Sequence, residues 1–132
     1  MNDYIRVLET YMQALGASDY SAIKALFAPD GRVCSPFLGE MDAGPFFDRL
    51  SSASAKNVIT PIDIFTSAGN KNQAVAYFRY DWTVNDGTLI SFKVMDLFAF
   101  EEETDKILRL DLIYDTHPIR STAGNKYESG TT

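Results

Sequence analysis

The chain predicts an α+β fold: a cone-shaped, curved antiparallel sheet wrapped around helices that come first in the sequence. Three observations carry this. Apolar residues recur at three- and four-residue steps through the first third. From Val58 to Thr116 the pattern becomes that of strands, with one long segment rich in aromatics. Between two of these strands, Asn85-Asp86-Gly87 is a hairpin signal. Helices followed by strands place the helices on one face of the sheet, and a cone closed by helices has an interior able to hold a ligand.

Tyr4, Leu8, Tyr11 and Leu15, with Ile5 and Met12, give the first helix its apolar face; Asn2 or Asp3 can cap its start, and Gly16 suits its end. Ser18 or Asp19 caps a second helix carrying Tyr20, Ile23, Leu26 and Phe27. Ala28-Pro29-Asp30-Gly31 breaks that helix with a turn. Arg32 to Ser35 is a short strand ended by Pro36, and Gly39 to Asp42 is a loop. Gly44-Pro45 opens a third helix, because proline near the first helical position gives up an N–H that has no partner there. Phe46, Phe47 and Leu50 form its apolar face. Ile62 to Thr66 partly alternates, Gly69 to Asn72 turns the chain, and Ala74 to Val84 is a long strand. Thr88 to Phe100 follows, then a charged turn from Glu101 to Asp105 and a last strand from Lys106 to Thr116. From His117 the chain is polar and expected to fray. One domain over residues 1–120 follows, with a flexible tail at 121–132.

The 132 residues are 45% apolar and 23% charged, which suits one globular domain large enough to bury a core. A net charge of −6 argues against a phosphate-binding surface, so nucleic acid is not an expected partner. The single cysteine, Cys34, permits no internal disulfide and reads as a small buried hydrophobe. One histidine and no clustered carboxylates make a poor metal site, and no organic cofactor is implied. No apolar run follows Asn2 and Asp3, and none approaches the roughly 20 residues of a membrane span. No membrane partner is expected, and the expected location is cytoplasmic.

Asp96 lies in the apolar strand Ser91 to Phe100. A buried, unpaired carboxylate costs several kcal/mol to ionise and usually takes up a proton instead. A protonated acid beside a phenol is a donor pair that can hold an oxyanion. Alternation puts Asp96 with Val94 and Phe98, opposite Met95 and Leu97; both sets are apolar, so periodicity does not choose its face. Phe78, Tyr80 and Trp82 share one strand face, and Tyr77, Arg79 and Asp81 the other. On the last strand Leu110, Leu112 and Tyr114 alternate with Asp111, Ile113 and Asp115. His117, beside Pro118, is placed at a rim or surface.

Tyr11 to Leu15 with Asp19 to Gly31, then Val94 to Phe98, then Lys106-Ile107 and Tyr114 to Pro118, are similar to segments of the NTF2-like superfamily. Within it the chain resembles the SnoaL-like and ketosteroid-isomerase-like proteins, over about residues 3 to 120. The resemblance implies the NTF2-like (cystatin-like) α+β barrel. It places Tyr11 and Asp96 on an isomerase's oxyanion-hole Tyr and protonated Asp. Ser35, before Pro36, stands where those isomerases carry a basic Asp, and serine has no useful basicity at neutral pH. Asp96, Leu112 and Tyr114 are implied to face inward. Ser35, Phe78, Tyr80, Trp82, Val94, Phe98, Leu112 and Tyr114 are the implied ligand wall. SnoaL-like cyclases use a pocket His and Asp, which makes His117 a secondary catalytic candidate. The positions of the epoxide-hydrolase branch's Arg and Asp hold Asp111 and Leu112, so that activity is not expected.

Two functions follow from this reading. One is an isomerase-, cyclase- or dehydratase-type enzyme acting on an apolar carbonyl compound. The other is a non-catalytic ligand-binding or dimerisation module. Both expect an apolar small-molecule ligand and a homodimer.

Overall fold

The computed structural model describes residues 3–69 and 71–123. Helices α1 (Tyr4–Gly16) and α2 (Tyr20–Ala25) lead into strands β1 (Phe27–Ser35) and β2 (Gly39–Asp42). Helix α3 (Ala43–Ala53) precedes β3 (Ser54–Thr66), β4 (Gln73–Val84), β5 (Leu89–Phe100) and β6 (Ile107–Tyr114), and α4 (His117–Ala123) follows. Both leading helices start on an aspartate cap: Asp3 accepts from the Arg6 N–H and Asp19 from the Ala22 N–H, each at 3.1 Å. Each cap satisfies an amide that has no partner inside its helix.

The six strands form one curved, unclosed sheet in the order β2-β1-β6-β5-β4-β3. Strands β3 to β6 are antiparallel neighbours. The expectation of a purely antiparallel sheet is corrected at one seam, where β1 runs parallel to β6. Those two strands are separated by α3 and the whole β3–β5 meander, so no hairpin fixes their relative direction.

Other expectations shift at the margins. Gly39–Asp42 is a strand rather than a loop, paired antiparallel to β1 from Arg32↔Asp42 to Ser35↔Gly39. Ion pairs join Arg32 to Asp42 and Glu40, and Arg109 to Glu40, so ladder bonds and charge hold this edge. Ala28 to Gly31 belongs to β1, which slips register between Phe27 and Arg32. The chain after His117 does not fray at once: Asp115 accepts from the His117 N–H at 2.9 Å and α4 begins. Of the expected tail, residues 124–132 lie outside the described residues, as does Asn70 in the expected turn.

Between α1 and the inner face of the sheet sits the core. Leu8, Tyr11, Leu15, Phe47, Phe78, Phe98 and Leu110 are all essentially fully buried there. No helix among the described residues is long and apolar enough to cross a membrane.

Candidate functional site

A cavity of about 280 Å³ opens between the inner faces of β4, β5 and β6 and the helices α1 and α3. That is near the lower end of the roughly 300–1,000 Å³ common for small-molecule sites. Strand alternation builds its wall. Phe78, Tyr80 and Trp82 project from β4, Phe92, Val94 and Asp96 from β5, and Leu112 and Tyr114 from β6. Tyr11 and Leu15 come from α1, while Phe37 and Leu38 in the β1–β2 turn and Ile119 of α4 stand at the rim. Ser35, at the end of β1, also faces the cavity.

Asp96 is 1% exposed, and its Oδ1 has no hydrogen-bond partner among the described residues. Burial pushes its pKa well above the usual carboxylate range, opposed only by hydrogen bonding from the Tyr11 hydroxyl. That contact leaves Oδ1 orphaned, and burial, which favours the protonated acid, is the dominant influence. Burial likewise raises the Tyr11 phenol, with the nearby Asp96 charge as a further cause. Tyr11 is held by rings, edge-on to Phe98 at 5.0 Å and to Phe47 at 6.3 Å between centroids.

The other phenols are engaged elsewhere. Tyr80 donates to Asn57 Oδ1 at 2.6 Å, and Asn57 Nδ2 donates to the Tyr20 hydroxyl at 2.7 Å. Burial raises the Tyr80 pKa. Tyr114 is also raised by burial, against a hydrogen bond from Ser35. Ser35 Oγ accepts in turn from the Phe37 and Leu38 amides at 3.3 and 3.4 Å, which fixes the turn beside it. Of the acid and phenol groups on the wall, the Tyr11–Asp96 pair is therefore the one with polar capacity left over for a guest.

Of the residues singled out in the sequence, Tyr11, Ser35, Phe78, Tyr80, Trp82, Val94, Asp96, Leu112 and Tyr114 meet at the cavity. Phe98 does not line it. Two positions beyond Asp96 on β5, it lies under α1, fully buried against the Tyr11 ring. His117 is exposed at the start of α4 and does not line the cavity; Ile119 does. Cys34 is half-buried rather than part of the core. Among the described residues no group of three or more His, Cys, Asp or Glu is placed to hold a metal ion.

Sequence reasoning passed over Asn57 and Arg49. Asn57 is a buried amide in a strand interior, where asparagine is disfavoured, and that mismatch was the available signal. Arg49 follows Phe46 by three residues on α3 and so shares its cavity face.

No family model matches the sequence, and no curated protein matches it. Solved structures do. An NTF2-like protein of unknown function from Burkholderia pseudomallei K96243 is 18% identical, with a TM-score of 0.76 over 95% of this chain and 100% of its own. A protein with a ketosteroid isomerase-like fold from Catenulispora acidiphila, in complex with trimethylamine, is 13% identical with a TM-score of 0.73, covering 92% and 95%. An LEH-like epoxide hydrolase of M. tuberculosis is 12% identical with a TM-score of 0.70, covering 89% and 86%. Identities this low carry the backbone and not the chemistry. Helices laid inside a curved, unclosed sheet, and superposable on these structures over nearly the whole chain, give this protein the NTF2-like fold.

Proposed function

We propose that the cavity binds an apolar carbonyl compound whose oxygen lies against Tyr11 and Asp96, and that the pair stabilises negative charge developing on that oxygen. The reaction class is that of an isomerase, cyclase or dehydratase working without a cofactor. The observation that carries this reading is the orphaned Oδ1 of a fully buried Asp96, whose pKa burial raises, on a largely apolar wall. Such an atom gains a partner only when a ligand enters, and a donor pre-aimed in a dry site is worth far more than one in water.

The test begins with a thermal-shift screen of apolar ketones and phenols, since a ligand that prefers the native state raises its apparent stability. Compounds that bind are then followed for chemical change. Tyr11→Phe and Asp96→Ala are expected to lower turnover by about 10²–10³-fold, the usual effect of removing an oxyanion donor. Turnover unchanged in both folded variants removes the proposal.

A second reading, non-catalytic binding, is favoured by one observation. Ser35 stands where the resemblance implies a base, the single histidine is exposed, and among the described residues no other lining side chain is suited to accept a proton at neutral pH. Recovery of a bound ketone chemically unchanged, with binding lost in Asp96→Ala, supports this reading over the first. In either case the proposed protein partner is a second copy of the chain, seated on the outer face of the sheet.

A further inference from the structure

Arg49 is exposed and yet lines the cavity, so it marks where the cavity meets water. Among the described residues it is the one Lys or Arg on that wall. Lys24, Arg32, Arg79 and Arg109 each pair with a carboxylate. Arg49 has no such partner among the described residues; its chain neighbour Asp48 is engaged by Lys24. Arg49 puts a positive charge on the cavity lining of a chain whose net charge is −6. A chain so acidic repels an anion at long range, so only a local cation can hold one at this mouth.

Asp96 is paired with Ala76 on β4, and Trp82 lies six residues further along that strand. Trp82 Nε1 donates to Ser54 Oγ at 2.7 Å, and Ser54 Oγ donates to the Leu50 carbonyl at 2.6 Å. Those bonds tie the Trp82 end of the wall to α3 beside Arg49. The donor pair and the cation therefore stand toward opposite ends of one aromatic-walled space.

We infer that the cavity takes an amphipathic monoanion, with an apolar, carbonyl-bearing body against the aromatic wall and a carboxylate at the mouth held by the Arg49 guanidinium. This rests on the proposed binding of a carbonyl oxygen at Tyr11 and Asp96, and it adds the charge and polarity of the guest. Arg49 acts as a specificity determinant that sets which end enters first. Its planar fork suits a carboxylate, and its exposure makes the contact salt-sensitive.

The probes are 4-benzoylbenzoic acid, its methyl ester, and (4-benzoylbenzyl)trimethylammonium. Affinities are measured by calorimetry near neutral pH at low ionic strength. Quenching of Trp82, the single tryptophan of the chain and part of the wall, reports whether the probe sits in the cavity. The acid is expected to bind about five- to tenfold more tightly than the ester, a margin set by one partly exposed charge-assisted contact. Arg49→Gln is expected to bring that ratio within about twofold, Arg49→Lys to retain part of it, and added salt to shrink it in the wild type. An acid-to-ester ratio near one, with both compounds weakened in Asp96→Ala or Tyr11→Phe, overturns the role of Arg49 and leaves the carbonyl reading standing. A trimethylammonium compound that binds more tightly than the acid also overturns it. Binding of the acid and ester that neither Asp96→Ala nor Tyr11→Phe weakens, or no binding and no quenching of Trp82 at millimolar concentration, overturns both.

Discussion

Burial favours the protonated form of Asp96 and no charge partner offsets it, which makes the residue a stability determinant as well as a site residue. Unfolded, the carboxyl titrates near its ordinary value of about 3.9; folded, it titrates well above it. Between those two values the native state holds the extra proton. Stability then falls as pH rises, at up to roughly 1 kcal/mol per pH unit, until the native carboxyl also ionises. Asp96→Asn removes this proton and nearly conserves shape. The melting temperature of the variant relative to wild type is expected to climb as pH rises from about 5, and to level off once the native carboxyl also ionises. The depressed carboxyls of Glu40, Asp81 and Asp86 are common to both proteins and cancel in that difference. A gap that stays constant over the range contradicts the neutral acid. The identity of Asp96 was legible in the sequence, but its direction was not, because the residues flanking it on both strand faces are apolar. The Asn57 bridge between Tyr20 and Tyr80 was not legible either, since it joins partners 37 and 23 residues away.

Elements built on burial were legible, and elements built on pairing were not. α1, α3 and the β4–β5 hairpin show their periods because each presents an apolar face to the core. β2 is exposed at the sheet edge and held by its ladder and by ion pairs, so its four residues Gly39–Asp42 carry no hydrophobic alternation. The start of β1 was hidden by Pro29 and Gly31, which ordinarily punctuate a turn. Here Gly31 serves close approach. A Cβ at that position would stand 2.9 Å from the Phe27 ring and 3.0 Å from the Ala28 and Ile107 carbonyl oxygens. Two of those three atoms are backbone, and they belong to β1 and the β6 strand it pairs with. Gly31→Ala is therefore expected to destabilise by about 1–3 kcal/mol, the usual cost of overpacking. A urea denaturation series measures it, and a loss below the few tenths of a kcal/mol typical of a surface change would show that the β1–β6 seam yields.

At the scale of the molecule, the sheet has one face covered by helices and one that no described element covers. The cross-strand register gathers that outer face into rows. Tyr77, Met95 and Ile113 stand side by side on β4, β5 and β6, and Phe65, Val75 and Leu97 form the next row on β3, β4 and β5. Ile113 is 55% exposed, Phe65 47% and Met95 41%. Contiguous apolar surface of this kind costs free energy in water and commonly marks an interface. Beyond it lie Arg79, Asp81 and Lys93, with Arg79 and Asp81 paired to each other, a polar flank able to set orientation. A homodimer through this face leaves the cavity open, because the cavity belongs to the opposite side of the same strands. Sedimentation at micromolar concentration is expected to show a species of twice the 14.7 kDa chain mass. Ile113→Glu, which puts a charge on the most exposed of Phe65, Met95 and Ile113, is expected to shift it to the monomer without loss of helix and sheet signal. The same variant separates assembly from binding. Its side chain points away from the cavity, so the monomeric form is expected to keep its affinity for a carbonyl ligand within about twofold. A wild-type chain that sediments only as the monomer, or a variant that stays dimeric, contradicts this interface and leaves the ligand site untouched.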